Sequence, residues 1–535
     1  PSYSSIIMKF ILIVLFICVL KVFGSCKNNK PIEIVKTDTS INVSNSFNTL
    51  FFDSVQLSVF LKEHIFLKKF SNQFFDFYKS RNYQYAWFDS IGYTQQASNF
   101  INLLQTTVEA LQDSSLFINE FNKIQEKIHQ EKRKLTNEEL LQIELNLTGQ
   151  FFVYATKVYK GSNINAEELG WYIPRKKIDL KKILHSTLES DTAAQQHYAP
   201  VNPMYFRLQS ALLLYHKLIK KENWKPIFIP KKALKKGDTS FIIPFVKYRL
   251  KIIGDAATED TSKTYDSSLL IAVKSFQQRM GLEVNGSINK ATIEELNVSP
   301  EKRIQQILIN LERIRWMPAQ IDSNFVVINI PEFKMHVIEN GKQIFDMNVI
   351  VGTTANNTVI FNGSIKFIVF SPYWNVPQSI TIKEILPSIR KNPDYLETKN
   401  MEITSYQNSI PVIRQKPGND NALGGVKFLF PNSHSIYLHD TPAKQLFSQT
   451  TRTFSHGCIR VEKPYELAQI LLKNDTAWTN EKIKQSMNGG VELWVRLPQK
   501  MQVYIVYFTS WVDAAGAIQF RNDVYGHDKK MNKIL

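Results

Sequence analysis

The spacing of apolar residues changes at Phe325, and this change limits the chain to folds with a helical part before that residue and a strand-rich part after it. Upstream, apolar and aromatic residues mostly recur every three or four positions, which is the period of a helix face. Downstream, short runs of β-branched and aromatic residues follow one another, beginning with Phe325 to Ile330. We therefore expect a multidomain α+β protein, since 535 residues suffice for three or four domains of about 150 residues each.

The segment from residue 46 to residue 235 carries the signals of a helical domain. Aromatic and leucine residues between Phe60 and Tyr78 lie mostly at helical spacing, which favours a buried helix face. Thr136 and Glu139 form the pattern of a capping box, and Pro203 precedes another amphipathic run. We interpret residues 46–235 as a helical scaffold domain that follows a polar tether, residues 27–45.

A second, smaller helical unit is predicted for residues 240–298. Its apolar pattern ends in Phe276-Gln277, after which Gly281 supplies a helix stop and Asn285-Gly286 a turn. Together with Thr292, this run resembles the small peptidoglycan-binding module, in which Asp is usual at the position of Asn285.

A connecting helix, residues 299–322, leads into the strand-rich part. We assign this part to a mainly β domain over residues 323–500 and a C-terminal strand and tail over residues 501–535. Asn340-Gly341 between two short apolar runs is the pattern of a tight hairpin. Further strands are predicted at Ile365–Phe370, Ser435–Leu438, Val491–Leu497 and Val503–Trp511. Helices are predicted at Ile382–Lys391, kinked by Pro387, and at Lys463–Lys473.

Residues 1–26 indicate export. Phe10 to Leu20 form an apolar run after Met8-Lys9, shorter than the ~20 residues of a membrane-spanning helix and typical of a signal peptide. Small residues directly before Cys26 resemble a bacterial lipobox, which implies lipidation of Cys26; the alternative is an uncleaved anchor with an incidental cysteine. We expect the rest of the chain on the periplasmic side of the cell envelope, anchored to the membrane. There, a net charge of +17 favours anionic wall polymers or lipid head groups as partners and argues against nucleic acid.

The body of the chain has a single cysteine. Cys18 belongs to the signal core and Cys26 to the lipid site, which leaves Cys458 without a partner for a disulfide. A lone thiol in an oxidising compartment calls for a functional reason, the alternative being a buried inert thiol.

Cys458 lies in the run Ser455-His456-Gly457-Cys458-Ile459-Arg460, and His439 ends a predicted strand upstream of it. A thiol with a pKa of about 8.5 is mostly protonated at neutral pH, so a nucleophilic cysteine needs an imidazole within hydrogen-bonding reach. Gly457 allows a close backbone turn whose amides can point at a developing oxyanion. A nucleophile, a base and oxyanion donors are the ingredients of acyl transfer.

This run, after Tyr437-x-His439, resembles the signature of the L,D-transpeptidases with a YkuD-type catalytic domain. The resemblance extends to the large YcbB-like murein enzymes over roughly residues 50–530. The other matching segments are Asn310-Leu311-Glu312-Arg313, Arg315-Trp316, Trp374-Asn375-Val376-Pro377, Gln415-Lys416-Pro417-Gly418, Asn421-Ala422-Leu423-Gly424, His439-Asp440-Thr441-Pro442, Gln519-Phe520-Arg521 and Asp523-Val524-Tyr525. The resemblance implies a helical scaffold domain, a small helical peptidoglycan-binding module and a mainly β catalytic domain. The segment between Pro377 and Gln415, which carries a lid in the family, is shorter here.

The resemblance also implies a role for each residue of the run. Cys458 is the expected nucleophile, and His439 is the expected general base, its ring oriented by a backbone carbonyl. The residues expected to shape the site and its oxyanion pocket are Ser455, His456, Gly457 and Arg460. The implied reaction transfers a tetrapeptide stem through a thioester on Cys458 to the side-chain amine of a neighbouring stem, giving a 3–3 cross-link in peptidoglycan. The sequence indicates no metal and no cofactor.

Three alternatives remain open at this point. The same pair of residues with water as acceptor would make an L,D-carboxypeptidase or a peptidoglycan endopeptidase. A wall-binding lipoprotein without activity is a second alternative, against which the intact pair of His439 and Cys458 argues. The third is a zinc peptidase that uses His434 and His439, although their spacing suits no helix face and no acidic partner is evident.

Overall fold

The computed structural model describes residues 48–535 apart from residues 49, 90, 117, 119–122, 124–134, 176, 190–199 and 258–260. The predicted signal peptide, Cys26 and the tether of residues 27–45 therefore lie outside the described residues. Within the described part of the chain, no helix combines the length and the apolar character needed to cross a membrane.

The scaffold region is helical, as predicted. Its helices are Ser54–Glu63, Ser71–Ser80, Gln95–Leu111, Asn137–Tyr154, Leu180–Leu188 and Met204–Lys221, and shorter 3₁₀ turns lie at Ile65–Phe70, Ser114–Leu116 and Ala166–Leu169. The Thr136/Glu139 capping box forms, because the hydroxyl accepts from the Glu139 amide and the carboxylate accepts from the Thr136 amide. Most of the aromatic side chains that set the pattern, such as Phe74 and Phe77, are fully buried. The helix face predicted from spacing is thus the core of this region.

The small helical unit consists of Ile243–Ile252, Ser267–Arg279 and Lys290–Leu296. Gln277 fixes its turn, since the side-chain amide donates to the carbonyl of Ser287 and accepts from the amide of Gly286. Gly281 has a φ of +67°, and an added Cβ would lie 2.5 Å from the Arg521 side chain. This glycine is therefore needed both for the helix stop and for close packing against the C-terminal segment.

The helix Pro300–Arg315, which we call the linking helix, buries charged side chains that contact the regions on either side of it. The Glu312 carboxylate accepts from the amide and hydroxyl of Ser162 and from the Trp316 indole. Arg315 pairs with Glu312 at 2.6 Å and donates to the Tyr205 hydroxyl. These contacts tie the linking helix to the scaffold region, and its Asn310 side chain donates to the Thr509 hydroxyl, which follows the long strand of the strand-rich part.

The strand-rich domain is a nine-stranded sheet that closes on itself. Its strands are β1 (Phe325–Asn329), β2 (Lys334–Glu339), β3 (Lys342–Gly352), β4 (Asn362–Phe370), β8 (Val426–Leu429), β9 (Leu438–His439), β10 (Thr453–Ser455), β11 (Ile459–Val461) and β12 (Leu493–Val506). The order is β10-β3-β11-β9-β8-β4-β12-β1-β2, and β2 also pairs with β3, which closes the ring. Strands β1 and β12, β9 and β11, and β10 and β3 are parallel, and the other pairs are antiparallel. Helices Pro464–Leu472, Asn480–Asn488 and His527–Met531 and the hairpin β13 (Ser510–Val512)/β14 (Ile518–Phe520) pack around it.

An insertion between β4 and β8 forms its own small layer, which we call the inserted subdomain (residues 374–415). It contains β5 (Trp374–Asn375), β6 (Met401–Gln407) and β7 (Ile410–Gln415) in the order β5-β7-β6. The helix predicted at Ile382–Lys391 is interrupted, because a π-helical segment, Thr381–Ile385, precedes Leu386–Lys391 and its Pro387. Short helices also lie at Gln378–Ile380 and Tyr395–Thr398.

Two predicted strands differ in the structure. The strand predicted at Ser435–Leu438 is reduced to Leu438–His439, because Ser435 has a φ of +55° and the Asn432 side chain bonds the backbone of His434 and Ile436. The two strands predicted at Val491–Leu497 and Val503–Trp511 are one strand, β12, followed by the short β13. The pairing of β12 with β4 shifts register between Arg496 and Met501, where Pro498 lacks a backbone donor. This irregular stretch is why the sequence pattern predicted two strands instead of one.

Replacing Glu312 by alanine is expected to lower the free energy of unfolding by about 3–5 kcal/mol, since it leaves the Arg315 guanidinium buried without a carboxylate. Thermal and denaturant unfolding measure the effect. Glu294→Gln is the matched control, because that exposed carboxylate only pairs with Lys290 at 3.8 Å and should change stability by less than about 0.5 kcal/mol. Equal losses in the two variants would contradict a special role for the buried carboxylate.

Candidate active site

The pairing of β9 with β11 brings the predicted nucleophile and base to one place. The two short strands run parallel, with Ile459 opposite Leu438 and Arg460 opposite His439. Cys458 directly precedes β11, so it lies beside the segment that carries Tyr437 and His439. The Cys458 side chain is partly exposed, and its Sγ lies 3.6 Å from the carbonyl oxygen of Ser435. The thiol is therefore largely covered but still partly accessible to a ligand.

The His439 ring is buried and held by its Nδ1 atom. Nδ1 lies 2.6 Å from the carbonyl oxygen of Asp440, which accepts hydrogen bonds only, so Nδ1 carries the proton. This leaves Nε2 of the neutral ring as an acceptor. Burial, reinforced by the charge of Arg460, lowers the pKa of His439 to about 3. His439 is thus a neutral imidazole at every pH at which a cell operates.

The Cys458 thiol is also neutral in this arrangement. Burial raises its pKa above the ordinary value of a cysteine, while the backbone and hydroxyl of Tyr437 and the charge of Arg460 lower it. The burial effect is the largest, so the resting pair consists of a thiol and a neutral imidazole. A thiolate can form only as a proton leaves during attack.

The backbone around Cys458 is fixed by hydroxyl groups. The Ser455 Oγ donates to the carbonyl of Cys458 at 2.5 Å and accepts from the amide of Gly457 at 3.1 Å. Gly457 has a φ of +117°, a conformation that favours glycine. Its carbonyl accepts from the Thr358 hydroxyl at 2.8 Å. Among the described residues, the backbone amide of Cys458 forms no hydrogen bond. It is therefore a donor of this loop that is available to a ligand.

A tyrosine from the C-terminal segment, Tyr525, supports the same loop. The Tyr525 hydroxyl donates to the carbonyl of Gly352 at 2.7 Å and accepts from the amide of Thr358 at 3.3 Å. Its own backbone amide donates to the Tyr507 hydroxyl at 2.8 Å. Tyr525 thus fixes the backbone of Thr358, and the hydroxyl of Thr358 in turn holds the carbonyl of Gly457.

His456 connects the loop to the inserted subdomain. Its Nε2 lies 2.7 Å from Oε1 of Glu384, and both side chains are about half exposed. The contact joins the loop that carries Cys458 to the π-helical segment, so His456 shapes the surroundings of the site.

Arg460 lies opposite His439 on the neighbouring strand, and its part in holding the loop stays a prediction. In the part of the chain that the structure describes, its Nε is buried without a hydrogen-bond partner. Burial lowers the pKa of Arg460, and the neighbouring Cys458 raises it. Because the guanidinium influences the pKa of both His439 and Cys458, its effect on the site is electrostatic.

Comparison with known proteins assigns the regions. The family model "L,D-transpeptidase catalytic domain" matches residues 323–483, which include His439 and Cys458. Residues 323–483 form an L,D-transpeptidase catalytic domain. Models for "Scaffold domain" and "Putative peptidoglycan binding domain" match residues 72–212 and 243–296, so the small helical unit is a peptidoglycan-binding domain.

One curated relative is a "Putative L,D-transpeptidase" of Haemophilus influenzae, 30% identical over 256 residues that cover 45% of this chain and 50% of that protein. This chain thus spans half the length of that relative. Among solved structures, the L,D-transpeptidase of Stackebrandtia nassauensis is 16% identical, with a TM-score of 0.21, and covers 53% of this chain and 97% of that one. The L,D-transpeptidase of Mycobacterium smegmatis is 14% identical, with a TM-score of 0.19, and covers 34% and 58%.

His434, the other histidine considered as a metal ligand, packs in the L,D-transpeptidase domain between two aromatic rings. Its ring centroid lies 4.9 Å from that of Tyr172 and 5.0 Å from that of Phe361. Among the described residues, no group of three or more His, Cys, Asp or Glu side chains is placed to hold a metal ion.

Several residues that position the site were given no role by the sequence. Tyr437 belongs to the quoted signature and had a usable signal, because residues two apart on a strand share a face, and its ring lies 5.7 Å from that of His439. Tyr525 belongs to a matching segment, but its contact with the loop could not be read from the sequence. Glu384 and Thr358 had no signal, because each reaches the loop from a distant part of the sequence.

Replacing Tyr437 by phenylalanine is expected to raise the pKa of Cys458 further, because its hydroxyl lowers that pKa. The inflection in the rate of thiol alkylation should therefore move to higher pH, and alkylation at pH 8 should slow by about two- to tenfold for a shift of up to one unit. The rate with iodoacetamide, followed by intact mass, measures this. Tyr406→Phe, at an exposed site on β6, should leave the profile unchanged. An unchanged profile in the Tyr437 variant would contradict the contact.

Proposed function

We propose that this protein is a peptidoglycan L,D-transpeptidase that forms 3–3 cross-links through a thioester on Cys458. The observation that carries the proposal is the arrangement of Cys458 beside the buried, neutral His439, whose Nδ1 is held by the Asp440 carbonyl. The L,D-transpeptidase catalytic domain and the peptidoglycan-binding domain support peptidoglycan as the substrate.

In the first half-reaction, Sγ of Cys458 attacks the carbonyl carbon between the third residue of a tetrapeptide stem and its terminal D-Ala. The thiol proton passes to Nε2 of His439, since both groups are neutral at rest. The oxyanion that develops is stabilised by the amide of Cys458, because the amide of Gly457 is already engaged with Ser455. The C–N bond then breaks, the departing D-Ala amine takes the proton from His439, and a thioester remains.

In the second half-reaction, the side-chain amine of a neighbouring stem attacks the thioester carbonyl. His439 accepts a proton from this amine and returns it to the departing thiolate of Cys458. The products are a 3–3 cross-link and the free thiol. Water in place of the amine would release a tripeptide, which is the carboxypeptidase alternative.

The inserted subdomain supports the choice of an amine acceptor over water. Val376, Ile380, Ile385 and Ile413 give it a small apolar core of its own. Glu384 attaches it to His456, beside the nucleophile. A structured layer fixed next to Cys458 can exclude water and present a second stem.

We also propose that the protein works on the periplasmic side of the cell envelope as a lipoprotein attached through Cys26. The apolar run and the small residues before Cys26 support this placement, and a membrane-attached enzyme would face its polymer there.

Incubating the full chain with purified tetrapeptide muropeptides is expected to yield cross-linked dimers, each with the loss of one D-Ala, and an acyl-enzyme intermediate. Intact-protein and product mass spectrometry measure both, and a carbapenem is a second acylating probe. Cys458→Ala should abolish the adduct and the dimers, because no other thiol lies in the folded body. Tripeptide without dimer would instead establish a carboxypeptidase. A folded protein with neither product nor adduct would establish the wall-binding alternative.

Replacing His439 by alanine is expected to slow acylation by about 10²–10⁴-fold, the usual contribution of a general base. In the native protein the acylation rate should not fall between pH 7.5 and about 5, because the base is protonated only near its pKa of about 3. Acylation rates, measured by mass spectrometry of reactions quenched at set times across this pH range, test both effects. His434→Ala is the matched control and should retain the native pH profile. A native rate that halves near pH 6.5 would contradict the buried neutral imidazole.

A further inference from the structure

The peptidoglycan-binding domain and the segment that directly precedes it expose an aromatic patch. Phe228 is 74% exposed, and Phe241 and Phe245 are each 60% exposed. The rings of Phe228 and Phe241 lie 6.3 Å apart between centroids. Ile229, 47% exposed, adjoins Phe228 in the chain. We call these four residues, with Tyr248, the aromatic patch.

Two residues of the patch, Phe245 and Tyr248, lie on the outer face of a helix whose inner face is packed. On Ile243–Ile252, the side chains of Ile243, Val246 and Leu250 are fully buried. Phe245 and Tyr248 lie three residues apart on the opposite face, and Phe241 precedes Phe245 by one turn. Core formation therefore does not require the phenylalanines at Phe241 and Phe245, and large apolar rings held in water mark a binding surface.

The sequence that carries the patch is rich in lysine. Residues 225–251 contain eight basic residues and one acidic residue, Asp238. Two of the basic residues are used inside the fold, since Lys247 pairs with Asp266 at 2.7 Å and Arg249 donates to the carbonyl of Leu296. The exposed lysines that remain next to the patch include Lys225, Lys231, Lys232, Lys235 and Lys236. Lys225 and Lys231 are each three residues from Phe228, which limits their Cα atoms to about 11 Å from it.

We propose that the aromatic patch rests on the surface of an anionic phospholipid membrane. Rings without polar atoms enter the boundary between head groups and acyl chains, while lysine side chains reach lipid phosphates. The apolar rings therefore match the acyl-chain boundary of such a surface, and the ammonium groups match its phosphates. The peptidoglycan-binding domain would then contact the membrane independently of the N-terminal segment.

The same chemistry disfavours the other occupants. A polysaccharide is held by precisely placed polar groups beside an aromatic ring, whereas the phenylalanines have none and the Tyr248 hydroxyl donates to Glu222. A second copy of the chain would bring one lysine-rich surface against another, and like charges repel.

A photoreactive benzoylphenylalanine at position 245 of the full chain tests the proposal. The chain is added to vesicles of phosphatidylethanolamine with phosphatidylglycerol or to vesicles of phosphatidylcholine alone, irradiated and analysed by mass spectrometry. Position 406, where Tyr406 is 68% exposed on β6, is the matched control for a probe brought near a membrane by the N-terminal segment. We expect lipid adducts at position 245 on anionic vesicles, and at least about tenfold fewer on phosphatidylcholine and at position 406.

A charge variant gives a second readout. Changing Lys231, Lys232, Lys235 and Lys236 to glutamine should lower the adduct yield at position 245 on anionic vesicles by at least about tenfold, with an unchanged thermal unfolding temperature. Equal yields at positions 245 and 406, or yields that do not depend on anionic lipid, would overturn the proposal. So would adducts formed with added peptidoglycan or with a second copy in place of lipid.

Discussion

The buried carboxylate of Glu312 is the contact on which the arrangement of the molecule depends. It accepts hydrogen bonds from Ser162 in the scaffold region and from Trp316 at the end of its own helix, and it pairs with Arg315. Burying such a pair costs free energy unless every polar atom finds a partner, so the network fixes one arrangement of the scaffold and the linking helix. From the same helix, Arg313 reaches Asp528 at 2.5 Å, beside the strand-rich domain.

The electrostatics of the site follow from burial rather than from a strong ion pair. A cysteine activated as a thiolate needs a cation close to it and water nearby, whereas here burial favours the neutral forms of both partners. The proton of the Cys458 thiol is therefore expected to move to His439 only while the bond to the substrate forms. Such a thiol reacts slowly with general electrophiles and selectively with a substrate that fits against it.

Local patterns in the sequence were sufficient for much of the fold. The Thr136/Glu139 capping box and the Asn340-Gly341 hairpin depend on neighbouring residues, and both form as predicted. The spacing of His439 and Cys458 likewise indicated two adjacent segments, which the parallel pair β9 and β11 supplies. The left-handed backbone of Ser435 could not be predicted, since it arises from the Asn432 turn and not from strand propensity. Contacts such as that of Thr358 with Tyr525 join residues 167 positions apart, beyond the range of any local pattern.

The route by which Tyr525 supports the nucleophile loop also sets an order of events during folding. Synthesis proceeds from the N-terminus, so Thr358, His439 and Cys458 all leave the ribosome before Tyr525 does. The Thr358 hydroxyl, which holds the Gly457 carbonyl, can already accept from the amide of Gly352, but the amide of Thr358 has no partner until Tyr525 docks. The loop that carries Cys458 can therefore complete its supporting hydrogen bonds only after the C-terminal segment has been synthesised and has docked.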